Sequence, residues 1–189
     1  MRRFVGRLFL ATSKRRMRRI ALWQRDPVPT QERLLMRLVR RAAETRFGRE
    51  HDFAAVRSVR DYQARVPLRS YEEFKPYWDR LFAGERHVTW PGRIRYFPIT
   101  SGTTSGNKLI PLSREGVRSQ KRAGRDVLQL YLAQTRDTRL FSGKFLFLGG
   151  STNLVRRPHG LLVGDLSGIM TRELPAYISS FRLPSGSAA

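Results

Sequence analysis

Nine consecutive residues, Thr100 to Lys108 (TSGTTSGNK), carry an unusual density of small donors. Thr100, Ser101, Thr103, Thr104 and Ser105 bring hydroxyls, Gly102 and Gly106 free the backbone, and Asn107 precedes Lys108. A phosphate group asks for this combination: backbone N–H groups that can approach closely, hydroxyl donors around them, and one point charge. The spacing is not that of a Walker loop, G-x-x-x-x-G-K-[ST]. Here Thr103, Thr104 and Ser105 alone separate the glycines, Asn107 stands before the lysine, and Leu109 follows it. The same residue types also form ordinary turns. The hydroxyl density, the single Lys and the apolar runs on both sides favour phosphate binding.

The flanking sequence says what must hold this loop. RIRYFPI (93–99) is predicted to enter it as a strand and KLIPL (108–112) to leave it as one. Ser113 is then placed to cap a long helix over 113–136, with Val117, Val127, Leu128, Tyr131 and Leu132 as its apolar positions and Arg114, Arg118, Lys121, Arg122 and Arg125 on its other faces. Downstream, 143–152 (GKFLFLGGST) reads as a short buried strand ending in a glycine turn. In 160–169 (GLLVGDLSGI), Gly160, Gly164 and Gly168 predict tight turns around another strand. Asp165 in that stretch reads as a turn residue.

Upstream the pattern is helical. Two prolines in DPVPT (26–30) break the chain, and a helix is expected from Thr30. Leu34, Leu35, Leu38, Val39, Ala42 and Ala43 supply its periodic face, and Gly48 its end. A short helix starts at Ser58 and stops before Pro67. The clearest helix is SYEEFKPYWDRLFAGE (70–85). Ser70 and Glu73 have capping-box spacing, while Phe74, Tyr77, Trp78, Leu81 and Phe82 form a core-type face. Pro76 predicts a kink or a late start, and Gly84 a stop. Helices, then strand–loop–strand, then alternating helix and strand make an α/β fold. The expected organisation is a basic helical segment over 1–25, an α/β body over 26–184, and a loose tail over 185–189.

Composition limits the classes. The chain has 189 residues, 40% of them hydrophobic, which suffices for a sizeable core. It has no cysteine, so disulfides and thiolate metal sites are excluded. His51, His87 and His159 are isolated, and no spacing of His, Asp or Glu suggests a metal site. With 37 basic and 15 acidic residues the net charge is 37 − 15 = +22. Such charge fits a basic nucleic-acid-binding protein without catalytic activity, which stands as the alternative function. Against it, the aromatics follow a core period instead of interleaving with the basic residues, so no specific nucleic-acid partner is expected. Residues 1–25 contain no acid and include SKRRMRR (13–19). Their apolar run is broken by Arg7 and is too short to span a bilayer, so neither a signal peptide nor a transmembrane segment is expected. Phe4, Leu8, Ala11 and Leu10 fall on one side of a helix there, which would pack on its own domain or lie on a membrane surface. A cytoplasmic location is expected.

TSGTTSGNKLIP resembles the phosphate-gripping segment of adenylate-forming enzymes, in the longer variant used by the auxin-responsive promoter family of acyl acid amido synthetases. TRFGREHDF (45–53), YQARVPLRSYEEFKPYWDRLFAGE (62–85), LFLGGST (146–152) and GDLSGI (164–169) resemble the N-terminal region of that family, in the same order. The resemblance implies a two-step ligase that activates a carboxylic acid with ATP as an acyl-adenylate and then joins it to an amino acid. It implies ATP and Mg²⁺ as cofactors. By the same resemblance, Thr100, Ser101, Gly102, Thr103, Thr104, Ser105, Gly106 and Lys108 contact the β- and γ-phosphates. Arg118, Arg122 and Arg125 on the following helix are candidates for the substrate carboxylate, and Ser151 and Thr152 for the acid cavity; each is otherwise a solvated or turn residue. The later family motifs are not in these 189 residues, so the resemblance implies that residues 26–184 are a partial N-terminal adenylation domain and the chain an N-terminal fragment without ligase activity of its own.

Overall fold

The computed structural model describes residues 2–100, 108–147, 149–175, 178 and 181–183. The loop residues 101–107, Leu148 and the tail 184–189 lie outside the described residues. The fold is mixed α/β, as the sequence implied, and the chain divides into two compact units. One unit consists of Asp26–Arg114 with Val155–Val163, the other of Met1–Arg25, Glu115–Leu154 and Gly164–Ala189.

The first unit opens with helix α2 (Pro27–Ala42), which follows α1 (Arg2–Arg25) in the chain. Helix α2 starts at Pro27, earlier than the expected Thr30, because a proline is pre-organised for the first helical turn, where no N–H is needed. The Thr30 hydroxyl donates to the Asp26 carbonyl. The helix also ends before Gly48, which sits inside the next one, α3 (Arg46–Glu50). The reason is steric: a Cβ on Gly48 would lie 2.1 Å from the Ala42 carbonyl oxygen. Buried Thr45 links the two helices, donating to the Ala42 carbonyl (2.6 Å) and accepting from the Gly48 N–H (3.0 Å). A single 3-10 turn (Phe53–Ala55) leads to α4 (Val59–Arg65), capped by Ser58 as expected.

Helix α5 (Tyr71–Phe82) has the reciprocal capping box of Ser70 and Glu73, with N–H to oxygen distances of 3.4 and 2.6 Å. The late start suggested by Pro76 does not occur. That proline is exposed, so water reaches the carbonyl that loses its donor. Tyr77 and Leu81 are buried, with Phe74, Trp78 and Phe82 packed against the same core. Gly84 ends the run at φ +85°, a conformation that suits glycine.

The sheet of this unit has the order β2-β1-β5-β4, with β1 at Tyr96–Thr100, β2 at Lys108–Leu109, β4 at Val155–Arg157 and β5 at Leu161–Asp165. Strands β1 and β2 are antiparallel, as are β4 and β5. Phe97 of β1 is fully buried and stacks on Phe82 at 4.3 Å, fixing α5 to the sheet. Val39, Phe47, Phe53, Leu81, Val88 and Leu161 belong to the common core.

In the second unit, α1 packs on α6 (Arg114–Thr135) and on a 3-10 turn at Thr138–Phe141. Its inner face matches the expected one only at Leu10 among the described side chains. Gly6 and Ser13 are buried and Phe9 and Leu10 join the core, whereas Leu8 and Ala11 are exposed; the side chain of Phe4 lies outside the described residues. Gly6 lets α1 approach, since a Cβ there would stand 3.1 Å from that of Thr138. Helix α6 buries Val117, Gln129 and Leu132, while the expected apolar positions Val127 and Tyr131 are exposed, Val127 by 67%. Strands β3 (Phe145–Leu146) and β6 (Arg182–Leu183) pair in parallel, and Phe141 carries the rings of Phe9, Phe145 and Phe181 around it. After β5 the chain forms a helix, α7 (Leu166–Arg172), that the turn reading of 160–169 missed. Gly164 lies in β5 and Gly168 in α7; only Gly160, at φ +70°, serves a turn.

Candidate functional site

The ends of the hydroxyl-rich loop are held as a hairpin stem. Thr100 pairs with Lys108 and Ile99 with Leu109, and the Tyr96–Leu112 bridge extends the pairing. Two further backbone bonds, Ile110 N–H to the Pro98 carbonyl (3.0 Å) and Leu112 N–H to the Tyr96 carbonyl (2.8 Å), fix the register. Thr100 and Lys108 thus face each other across the stem, and Ser101, Gly102, Thr103, Thr104, Ser105 and Gly106, which connect them, fall outside the described residues. The apolar residues Ile99 and Leu109 pack on the core, so the stem is anchored from below.

One residue of this stem was not foreseen. Tyr71, at the start of α5, donates its hydroxyl to the Leu109 carbonyl (3.2 Å) and accepts from the Leu109 N–H (3.0 Å). Its ring lies 5.4 Å from the Lys108 ammonium, a cation–π distance. The sequence did not set Tyr71 apart: three residues before Phe74 and seven before Trp78, it shares their side of the helix. Among the described residues, Lys108 has no carboxylate partner.

The other candidates belong to the second unit. Arg118, Arg122 and Arg125 are exposed on α6. The charges of Arg122 and Arg125 bear on Asp126, which takes a two-pronged hydrogen bond from Arg16 at 2.7 and 2.6 Å. Ser151 is exposed and Thr152 half-buried, in a loop fastened to the start of α7. The Ser151 N–H donates to the Asp165 carboxylate (2.9 Å) and the Gly150 N–H to the Ser167 hydroxyl (2.7 Å). The loop and helix are pressed so close that a Cβ on Gly168 would lie 1.9 Å from the Ser151 carbonyl oxygen. Asp165 and Ser167 therefore shape the loop that carries Ser151 and Thr152; the Gly-Asp-Leu-Ser-Gly sequence hinted at a turn, not at this partnership.

Residues 16–185 match the GH3 family N-terminal domain. Among solved structures, one of a GH3.15 acyl acid amido synthetase superposes with a TM-score of 0.63 at 25% identity, over 73% of this chain and 25% of that one. A second, an AtGH3.15 acyl acid amido synthetase in complex with 2,4-DB, gives a TM-score of 0.65 at 24% identity, over 76% of this chain and 25% of that one, a likeness of fold. The chain thus spans about a quarter of the length of these structures. No curated protein matches it in sequence.

Proposed function

The chain belongs to the GH3 family by its N-terminal domain, and from that premise we propose that it supplies the phosphate grip of an acid–amino acid ligase that activates its acid with ATP. The observation that carries this is the hairpin stem: a loop of hydroxyls and glycines mounted on paired strands, with Lys108 beside it lacking a carboxylate partner among the described residues. A rigid stem suits the task, because a phosphate site gains from donors fixed before the ligand arrives. In this reading Lys108 neutralises phosphate charge, and Tyr71 holds the strand from which it extends. ATP, when bound, supplies the adenylyl group that turns the carboxylate into a good acceptor for the amine. Among the described residues no cluster of three His, Asp or Glu stands ready for a cation, so Mg²⁺ is read as entering with the nucleotide phosphates.

Arg118, Arg122 and Arg125 stay in the proposal as candidates for the acid's carboxylate, and Ser151 and Thr152 for its pocket. The match spans about a quarter of the solved structures, so the 189 residues alone are proposed to hold nucleotide without completing ligation. Equilibrium dialysis of Mg·ATP against the chain tests the grip: Lys108→Ala is expected to weaken binding by about tenfold or more, the scale of one charge-assisted contact. In a full-length family enzyme, the corresponding change should abolish acid-dependent exchange of labelled pyrophosphate into ATP. Unaltered binding and exchange would remove the loop from the mechanism.

A further inference from the structure

Helix α1 is 24 residues long, about 36 Å at 1.5 Å per residue, and only one side of it is used by the fold. Ser13 is buried, Thr12 accepts a hydrogen bond from Gln129, and Arg16 is paired with Asp126. The opposite side carries Leu8, Ala11, Arg15, Arg18 and Leu22, spaced alternately by three and four, and all five are exposed. Leu8 and Leu22 are 53% and 62% exposed, whereas Trp23 turns toward the used side, its ring 4.7 Å from the Arg16 guanidinium. Arg7, Lys14 and Arg19 flank this stripe, also exposed, and the helix has no acidic residue. None of these cations has an ion pair among the described residues. The family match starts at Arg16, so Leu8, Ala11 and Arg15 lie ahead of it.

Three kinds of partner suit a basic helix, and the stripe separates them. A partner helix would bury the stripe in a seam, with Arg15 and Arg18 stranded at its centre. A nucleic acid would use the cations and leave Leu8 and Leu22 idle. A bilayer with anionic lipids uses both: the leucines enter the acyl boundary, and arginines in the same stripe reach back to the phosphates with their long stems. We propose that the outer face of α1 docks this protein on an anionic membrane surface, lying along it, with Leu8 and Leu22 inserted and the cations at the headgroups.

Flotation of the full 189-residue chain with phosphatidylcholine vesicles, with and without phosphatidylserine, tests this. Binding is expected with phosphatidylserine only. Because the whole chain carries +22, two comparisons separate docking from general charge attraction. Lys14→Glu/Arg15→Glu/Arg18→Glu/Arg19→Glu should lower binding at least about a hundredfold, given roughly fivefold for each basic residue near such a surface. Arg33→Glu/Arg37→Glu/Arg156→Glu/Arg157→Glu, the same number of exposed charges reversed on α2 and β4, should lower it far less. Leu8→Ser/Leu22→Ser, which keeps every charge, should lower it about tenfold or more, with circular dichroism showing the helix content retained. The proposal is overturned if vesicles are not bound, if the two charge-reversal variants lose equally, or if the serine variant binds as well as the parent. Equal binding to duplex DNA by parent and serine variant, with that result on vesicles, would identify a polyanion surface instead.

Discussion

Asp126 is the acid best placed to report on the basic half of the molecule. Both its oxygens take hydrogen bonds from Arg16, and the side chains are 22% and 16% exposed. These bonds from Arg16 hold its carboxyl below the ordinary 3.8, with the charges of Arg16, Arg122 and Arg125 helping against the opposing effect of burial. A depressed folded-state value means stability that is full above about pH 4 and is lost as pH falls through the lowered value. Asp126→Asn should therefore cost about 1–2 kcal/mol at neutral pH, as for a charge-assisted pair that is partly shielded from water. The gap in melting temperature between parent and variant should close as the pH is taken down through the acid range. A gap that persists undiminished at low pH would assign the loss to shape instead of charge. At the same scale, side-chain bonds tie one of the family-like stretches into the fold. His51, in TRFGREHDF, accepts from Arg69 (3.0 Å) through Nε2, since a guanidinium only donates, and so gives its Nδ1 proton to the Phe47 carbonyl (2.8 Å). Arg69 also donates to the Tyr77 hydroxyl, which donates to Glu50. These residues join α3 to α5; their work is structural.

Among the elements, the meeting of α5 and β2 connects stability to the proposed grip. The Tyr71 hydroxyl serves both the N–H and the carbonyl of Leu109, next to Lys108. Tyr71→Phe should cost about 1 kcal/mol in a denaturant titration, the usual net value of a hydrogen bond. It should also weaken Mg·ATP binding by the 189-residue chain, while far-UV circular dichroism stays unchanged. Loss of stability with unaltered nucleotide affinity would confine Tyr71 to the fold. The elements also show which signals were legible. Helix α5 announced itself through its capping box and its aromatic period, and α4 through Ser58 and Pro67. Gly48, Gly164 and Gly168 were read as breakers, and none of them breaks its element. For Gly48 the reason is the Ala42 carbonyl at the end of the preceding helix, and for Gly168 the Ser151 carbonyl of a loop far back in the chain, each closer than any Cβ allows.

For the whole molecule the dominant number is the net charge of +22. Like charges at that density oppose the compact state, and salt screens them over about 10 Å at 0.1 M. The melting temperature should therefore rise by several degrees from low salt to physiological ionic strength. A flat or falling response would mean that local pairs such as Arg16–Asp126 and Lys121–Glu173 outweigh the general repulsion. None of the helices among the described residues is long and apolar enough to cross a membrane, which agrees with the broken apolar run at Arg7.

By itself the sequence determined the family, the α/β class and the hairpin that carries the hydroxyl loop, because each rests on local order: motif spacing, capping residues and short apolar runs that pair across one turn. Only the tertiary structure decided which face of α1 is inward, that Val127 and Tyr131 point outward, and that Tyr71 braces the stem and Asp165 the Ser151 loop. Periodicity places residues on a common side of a helix, but it does not say which side meets a neighbour. That choice is made by packing and hydrogen-bond partners from far along the chain, and in α1 it turned a stripe of leucine and arginine outward.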